Sequence, residues 1–361
     1  MLAVMIAAAL AATAQAAPCM PQVEQLTLTL GNAPSRAEIV RPQRGHPKAI
    51  MVLIHGSDVA DLDNSIVGPG GTIVSTPLKD VARAMACAGI ATIRYDKRFV
   101  SGPEKVDREA FDKANLNDFL ADAVVALDAA KQRPDLRAVP ELAFGWSEGT
   151  TVAAALAVKR RSIKGAIFQA PVVVSFVKSL QGDYPRVGAP YMLRYAADGS
   201  VDAAAIARAA AGPGGVITQI YVKMFKGFAP NETLNPLLDG NHDGRIDIAS
   251  EATPVIKGWF ADGPGGGLSI YASGAALPGI RSQLASINGP VLVLQGEADG
   301  AMDADDARAL KAASLPGVTV RLYPGLGHTL GRSASPIEDH FAPIAPVPLR
   351  DMVNWAVAAV R

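Results

Sequence analysis

Gly145-Trp146-Ser147-Glu148-Gly149 follows a short apolar run, 141–144, and opens a segment of small residues with helical character, 150–158. The pattern G-x-S-x-G between a strand and a helix is typical of a nucleophile elbow, a sharp turn from which a serine hydroxyl projects. The two glycines leave room for a backbone that is too tight for a Cβ atom. The same residues also fit an ordinary glycine-containing turn, so the rest of the chain must decide between the two interpretations.

Strand and helix patterns alternate on both sides of this turn. Continuous apolar runs are typical of strands buried on both faces, and apolar spacing of three to four residues is typical of helices. The predicted strands are 23–30, 36–40, 49–54, 90–95, 141–144, 166–169, 291–295 and 318–323. The predicted helices are 77–88, 116–131, 150–158, 304–313 and 349–360. This alternation predicts an α/β fold with a mostly parallel sheet, helices on both faces and a ligand site at the carboxyl ends of the strands.

The interval 172–288 interrupts the alternation. It is rich in glycine and proline, and aromatic residues are frequent in it. We interpret it as a lid-like insertion that covers the site, with additional ordinary core as the alternative. The predicted organisation is a core of residues 17–171 and 289–361 that carries this insertion.

The composition excludes several classes of protein. The chain has 361 residues, of which 49% are hydrophobic and 19% charged, as in a globular protein. Its 34 basic and 34 acidic residues balance, so no basic field favours nucleic acid as a partner. Residues 1–16 are apolar and end in a small-x-small pattern, which predicts a signal peptide, although no basic residue precedes the apolar run. We therefore expect an exported protein, periplasmic or secreted, without a stable membrane anchor.

The chain contains two cysteines, Cys19 and Cys87. Cys87 lies in a predicted helix, and we expect it to be a small buried side chain. A disulfide with Cys19 after export is the alternative.

A serine nucleophile needs an adjacent base, and chains with this elbow carry the acid and then the histidine after the serine. Two of the five histidines, His46 and His55, precede Ser147. His328 directly follows the last predicted strand and lies in a short glycine-rich loop. We therefore predict His328 as the base.

The acid that orients this base is expected after the preceding strand. Asp299 is the first choice in the segment 295–300. Asp303 is the second, although capping of the next helix is its simpler role. Glu297 is a weaker third candidate.

The oxyanion of a tetrahedral intermediate needs two backbone donors. One is the amide of Glu148, directly after the nucleophile. The other is expected in the loop after strand 49–54, where the amide of Ser57 or Asp58 points into the site. His55 is expected to hold this loop rather than to act in catalysis.

Together these segments resemble the α/β-hydrolase superfamily over most of 49–361 apart from the insertion. The matching segments are Ile54-His55-Gly56-Ser57 as the oxyanion loop, Gly145 to Gly149 as the elbow, Gln295 to Asp299 as the acid loop, and Gly327-His328 as the histidine loop. The segments 77–80, 88–91 and 94–98 are also similar to bacterial esterases related to serine aminopeptidases and acyl thioesterases.

This resemblance implies an acyl-transfer hydrolase that acts on a small-molecule acyl substrate and needs no cofactor for catalysis. Trp146 replaces the histidine that is common at this elbow position, so we predict that it contacts the substrate or packs beside it. A carboxylic ester is the expected substrate. A peptidase or thioesterase with the same triad is the alternative, and a non-catalytic binding scaffold is a third reading.

The segment 239–247 is similar to a calcium loop of the EF-hand type. Gly244 permits the sharp turn that such a loop requires. The expected ligands are Asp239, Asn241, Asp243, the Arg245 carbonyl and Asp247. The twelfth position is Ser250 and Glu251 follows one residue late, so the bidentate ligand departs from its usual place. We expect a structural calcium ion, with a metal-free acidic turn as the alternative.

Overall fold

The computed structural model describes residues 19–57, 59–261 and 276–361. The predicted signal peptide, 1–16, lies outside the described residues, and so does Asp58. Within the described ranges, no helix combines the length and the apolar character that crossing a bilayer requires.

An eight-stranded sheet forms the centre of the fold. In chain order its strands are β1 (Gln22–Leu30), β2 (Ala33–Arg41), β3 (Ala49–Ile54), β4 (Ile90–Tyr95), β5 (Glu141–Trp146), β6 (Ile163–Gln169), β7 (Val291–Gly296) and β8 (Val318–Tyr323). Their order across the sheet is β1-β2-β4-β3-β5-β6-β7-β8. β2 runs antiparallel to both of its neighbours. The other six strands, β3 to β8, are mutually parallel. The mostly parallel sheet predicted from the sequence is therefore confirmed.

Helices cover both faces of this sheet, and further helices lie in the segment between β6 and β7. In chain order they are α1 (Pro77–Cys87), α2 (Arg108–Phe111), α3 (Leu116–Lys131), α4 (Gly149–Lys159), α5 (Phe176–Asp183), α6 (Ala189–Leu193), α7 (Ala203–Ala210), α8 (Val216–Lys226), α9 (Thr253–Trp259), α10 (Ile280–Gln283), α11 (Ala304–Ala312) and α12 (Pro346–Ala359). Short two-stranded ribbons join Ile66–Val67 to Ile73–Ser75, Val100–Gly102 to Lys105–Val106, and Ser200–Val201 to Ile246–Asp247.

The central strand β3 shows why the apolar runs are continuous. Ile50 and Val52 pack on the face covered by α3 and α4, whereas Met51 and Leu53 pack on the face covered by α1 and α12. Successive side chains of a strand point to opposite faces, so a strand with helices on both sides needs apolar residues at every position. Burying each such side chain contributes about 1.5–3 kcal/mol, which fixes the sheet at the centre.

The segment between β6 and β7 forms a third hydrophobic cluster of its own. Tyr191, Phe225 and Ile256 are among its buried residues, and all lie within α6 to α9. The ends of the segment pack differently, since Phe176 and Ile280 belong to the two clusters that flank the sheet. Residues near both ends of the inserted segment thus pack against the core.

The expectation for Cys87 is wrong. This residue is exposed at the end of α1 and forms a disulfide with Cys19. The buried stripe of α1 includes Leu78, Val81 and Met85, and Cys87 lies beyond that stripe. Cys87 lies in the predicted helix, but on its exposed side rather than in its apolar stripe.

Candidate active site

The elbow sits where β5 turns sharply into α4. A Cβ atom on Gly145 would lie 2.4 Å from the Gly149 carbonyl oxygen. A Cβ atom on Gly149 would lie 2.1 Å from the His55 carbonyl oxygen. Both distances are far below van der Waals contact, so only glycine fits at either position. The spacing of the two glycines is therefore required by how closely strand, helix and the loop after β3 approach one another.

Ser147 occupies the tip of this turn in a backbone conformation that is unusual for a residue with a side chain. Its φ is +55°, in the left-handed region. The turn is held by the Ser147 N–H, which donates to the Gln169 carbonyl at 2.9 Å, and by Thr150, whose hydroxyl donates to the Ser147 carbonyl at 2.6 Å. Such strain persists where the surrounding structure over-determines it, and it concentrates at functional sites.

His328 and Asp299 form a buried pair beside the elbow. The Nδ1 atom of His328 lies 3.0 Å from both carboxylate oxygens of Asp299. His328 lies in the loop after β8, and Asp299 lies in the loop after β7. Ser147 and His328 line the same cleft, and no hydrogen bond of the described residues joins their side chains directly. Serine–imidazole contacts often tighten only when substrate binds. The structure thus brings the three predicted triad residues to one rim of the sheet.

The surroundings of Asp299 favour the ionised form of its carboxyl group. Burial alone would raise its pKa, but the imidazole of His328 and hydrogen bonds from Gln295 and Met302 outweigh burial and hold the pKa below its ordinary value. Its Oδ1 also accepts the N–H groups of Ala301 and Met302 at 2.7 and 2.8 Å. An ionised carboxylate in this position fixes the imidazole with its proton on Nδ1.

The two alternative acids have other partners. Asp303 caps α11 by accepting the N–H of Asp305 at 2.9 Å. Glu297 pairs with Arg308 at 2.8 Å near the surface. Their contacts account for both residues without a role in the triad.

The residues predicted to supply the oxyanion donors lie on either side of Ser147. Gly56 lies so close to the elbow that a Cβ atom there would be 3.4 Å from the Ser147 Cβ. Ser57 follows directly and lines the cleft with Ser147. Glu148 occupies the N-cap position of α4, where the helix dipole favours negative charge.

Trp146 links the elbow to the histidine loop. Its Nε1 donates to the His328 carbonyl at 3.1 Å, and the two rings lie 5.1 Å apart between centroids. Trp146 also lines the cleft. Both roles considered for this tryptophan from the sequence, packing and contact with the cleft, are therefore compatible with its position.

The cleft in front of Ser147 has a volume of about 430 Å³. This volume falls within the range of small-molecule sites. One wall is apolar and is built by Trp146, Phe176, Leu180, Ile217, Met302 and Phe341. Polar residues of the lining include Asp61, Asn64, Ser65, Glu104 and Arg108. The inserted helices α5 and α8 thus contribute much of the apolar side.

Asp339 is a buried carboxylate that the sequence patterns did not indicate. Its Oδ2 accepts the N–H of His328 at 2.7 Å and the N–H of Gly300 at 3.0 Å. Gly327 is required beside it, since a Cβ atom there would lie 2.1 Å from Asp339 Oδ1. Burial and the charge of Asp299 raise the pKa of Asp339. One side chain thus ties the acid loop to the histidine loop.

Arg186, from the inserted segment, holds the acid loop from the other side. Its guanidinium donates to the carbonyl oxygens of Asp299 and Gly300 at 2.6 and 2.7 Å. It also pairs with Asp183 at 2.9 Å. Neither Arg186 nor Asp339 belongs to a recognisable motif, because the loop after β7 that both residues hold lies far from them in the chain.

The calcium-like loop is formed largely as its sequence predicts. Asp239 accepts the N–H of Gly244 at 3.1 Å, and Gly244 has a positive φ of 82°. Within the described ranges, no three His, Cys, Asp or Glu side chains converge as metal ligands. The expected ligands also include the Asn241 side-chain amide and the Arg245 backbone carbonyl, which are not among those four residue types. Calcium binding at Asp239, Asn241, Asp243, Arg245 and Asp247 stays a prediction.

Known proteins resemble this chain in structure rather than in sequence. No protein-family model and no curated protein matches the chain. Similar solved structures include Est1E from Butyrivibrio proteoclasticus, which is 12% identical, with 93% of this chain and 98% of that chain covered and a TM-score of 0.48. A dienelactone hydrolase from Anabaena variabilis is 14% identical, with 94% and 96% covered and a TM-score of 0.44. A proline iminopeptidase from Mycobacterium smegmatis is 15% identical, with 85% and 92% covered and a TM-score of 0.47.

The sheet order and the elbow themselves define the class of fold. A mostly parallel sheet with an antiparallel second strand, and a serine at a strained turn between β5 and α4, constitute the α/β-hydrolase fold. The fold that the sequence resemblance implied is thereby confirmed. At such low identities the likenesses concern the fold, and the activity must be argued from the site.

Proposed function

We propose that this protein is a serine hydrolase that cleaves carboxylic esters through Ser147, His328 and Asp299. The observation that carries the proposal is the left-handed backbone of Ser147 on the wall of a cleft that also contains the Asp299-bound imidazole. A strained serine beside an oriented base is the arrangement that makes a hydroxyl nucleophilic.

The proposed reaction proceeds through an acyl-enzyme. Ser147 Oγ attacks the acyl carbonyl, and its proton passes to Nε2 of His328 while Asp299 holds the Nδ1 proton. The amides of Ser57 and Glu148 donate to the oxyanion of the tetrahedral intermediate. His328 then protonates the leaving alcohol. Water, deprotonated by the same imidazole, hydrolyses the acyl-enzyme and restores the Ser147 hydroxyl.

The substrate class follows from the cleft. An apolar wall and a volume of about 430 Å³ favour a small-molecule ester with an apolar acyl group of modest size. A peptidase or a thioesterase using the same residues is the alternative, since all three reactions share the tetrahedral intermediate. No cofactor takes part in the proposed chemistry.

A fluorophosphonate probe tests the nucleophile. We expect covalent labelling of the wild-type protein at Ser147, located by peptide mass mapping, and no labelling of Ser147→Ala. The variant should keep its melting temperature within a few degrees and lose p-nitrophenyl ester turnover. A folded wild-type protein that is neither labelled nor active on any short ester would favour the binding scaffold.

A substrate panel tests the leaving group. Esters of increasing acyl length, acyl thioesters and aminoacyl anilides share one triad but differ in what the cleft must accept. We expect the largest kcat/KM for short to medium acyl esters. A preference for aminoacyl anilides would replace the esterase proposal with a peptidase.

We further propose that the protein is exported. The Cys19–Cys87 disulfide supports this proposal, because disulfides persist mainly in oxidising compartments. Detection of the protein in the periplasmic or culture fraction, with the segment 1–16 removed, is the expected result.

A further inference from the structure

A buried lysine lies behind the two amides assigned to the oxyanion. Lys97 follows β4, and its side chain is 5% exposed. Its Nζ donates to the Gly56 carbonyl at 2.6 Å and lies 3.7 Å from Glu148 Oε2. It also lies 4.6 Å from the centroid of the Phe119 ring. One ammonium thus contacts both the loop after β3 and the elbow, the two segments that supply the oxyanion donors.

The peptide between Gly56 and Ser57 shows what the first contact does. The Gly56 carbonyl and the Ser57 N–H belong to one planar peptide, and in the trans form these two groups point in opposite directions. A carbonyl held toward the buried Lys97 therefore turns the Ser57 N–H away from Lys97. Gly56 and Ser57 both line the cleft that contains Ser147. The lysine fixes the direction of an N–H group that it does not touch.

The preceding peptide is held as well. The Gly56 N–H donates to the side-chain oxygen of Asn64 at 3.1 Å. Asn64 itself sits in a tight turn, where its N–H donates to the Asp61 carbonyl at 2.8 Å. Gly56 is therefore fixed through both its N–H and its carbonyl, and the loop has little freedom to rotate the Ser57 amide.

The position needs a cation, not merely a hydrogen-bond donor. Burying an ammonium costs free energy unless charged and polar partners compensate, and here a carboxylate, a carbonyl and an aromatic face do so. A positive charge next to the Gly56 carbonyl also polarises that peptide in a low-dielectric setting, which makes the Ser57 N–H a stronger donor. Such a donor acts most on the negative oxygen of the transition state.

We propose that Lys97 is a positioning residue of the oxyanion site, orienting the Ser57 N–H through the Gly56 carbonyl and holding the elbow through Glu148. The inference rests on the proposed function and adds a residue that acts without touching the substrate. Because the oxyanion forms only after attack by Ser147, loss of Lys97 should lower kcat more than it changes KM.

Lys97→Met tests this role, since it removes the ammonium and keeps an unbranched side chain. We expect kcat for p-nitrophenyl butyrate to fall about 10- to 100-fold, less than the loss of a donor itself, with KM changed less than about threefold. Affinity for a trifluoromethyl ketone, whose adduct with serine carries an oxyanion, should fall by a similar factor. Lys97→Arg, which retains the charge, should recover part of both losses.

Arg98→Met is the matched control. Arg98 is the next residue in the chain and is likewise largely buried, but its guanidinium pairs with Asp122 at 2.8 Å rather than with the oxyanion loop. This variant should lose thermal stability to a similar extent and keep its kcat and ketone affinity. If Lys97→Met does not fold, Lys97→Gln, which keeps a polar group in the same space, should show the same pattern of losses.

The outcomes separate this inference from the proposed function. Fluorophosphonate labelling of Ser147 in the wild type, together with unchanged kcat and ketone affinity in a folded Lys97→Met protein, overturns the role of Lys97 alone. Equal losses of kcat in Lys97→Met and Arg98→Met also overturn it, because the effect is then one of stability. A wild type that is not labelled at Ser147 overturns both proposals.

Discussion

Three carboxylates after β7 differ in position far more than in chemistry. Asp299 is buried against His328, Asp303 begins a helix, and Glu297 pairs with Arg308 at the surface. The order of residues in the chain narrows the choice to this segment. Only the paths of the loops decide which carboxylate reaches the imidazole.

Asp299→Asn should lower kcat by about 10⁴-fold on a p-nitrophenyl ester, because an amide no longer stabilises the imidazolium or fixes its tautomer. Asp303→Asn should leave kcat nearly unchanged, and asparagine is itself a good helix cap. Steady-state kinetics on both variants, with melting curves as the control for folding, make the comparison. A larger loss in Asp303→Asn would reassign the acid.

A buried histidine makes the stability of the fold depend on pH. Burial, together with the charge of Lys97, lowers the pKa of His55 from 6.5 to about 3. Below pH 6.5 the unfolded chain therefore binds more protons at this residue than the folded chain does. The free energy of unfolding should fall as the pH drops from 6.5 toward 3, by about 1.4 kcal/mol per pH unit.

His55→Asn should remove this dependence. From pH 7.5 to pH 5 the wild type should lose about 2 kcal/mol more unfolding free energy than the variant does, because residue 55 can take up a proton on unfolding only in the wild type. Urea denaturation at both pH values measures the difference, and the carboxylates common to both proteins cancel in it. Equal losses in the two proteins would mean that His55 is not buried as a neutral side chain.

Sequence patterns identify residues that act through a local motif and miss those that act across the fold. Ser147 and His328 can be identified from the sequence because each lies in a glycine-rich turn after a predicted strand. Asp339 and Arg186 have no such signature, because both hydrogen-bond to backbone groups of the loop after β7, which lies far from either residue in the chain. Their roles depend on which loops the sheet brings together.

At the scale of elements, apolar periodicity located the core helices and strands closely. α4 spans Gly149–Lys159 where the pattern predicts 150–158, and β8 coincides with the predicted 318–323. Apolar periodicity does not predict the helices of the inserted segment. Most of its described helices are short, and they bury their apolar faces largely against one another.

The calcium-like loop ends in a π-helical turn, Ile248–Ala252. This turn contains Glu251, the carboxylate that comes one residue late in the motif. The Glu251 carboxylate indeed lies across the loop, where it accepts the N–H groups of Asn241 and Asp247 at 3.2 and 2.7 Å. Glu251 thus holds the backbone of the loop from the position after Ser250.

If this loop binds calcium, the ion should stabilise the folded chain. Calcium at 100 times its Kd would add about 2.7 kcal/mol, so the melting temperature should rise by several degrees over that of chelator-treated protein. Asp239→Asn should abolish most of that rise and leave ester turnover unchanged. Identical melting curves with calcium and with chelator would leave the metal-free acidic turn as the correct interpretation.

At the scale of the whole molecule, the candidate active site and the Cys87 end of the disulfide lie at opposite edges of the sheet. The loops that carry Ser147, Asp299 and His328 all follow the carboxyl ends of parallel strands. The Cys87 sulfur lies at the opposite edge, because α1 returns from the carboxyl end of β3 to the start of β4. A change at that edge should act on folding and not on the cleft.

Cys19→Ala/Cys87→Ala should therefore lower the melting temperature and spare kcat and KM. The disulfide joins residues 68 positions apart, and a loop of that length corresponds to about 4 kcal/mol of lost chain entropy in the unfolded state. Thermal denaturation of the wild type with and without a reducing agent should reproduce the shift, and the double variant should not respond to that agent. Loss of turnover in a fully folded variant would show that this edge of the sheet also shapes the cleft.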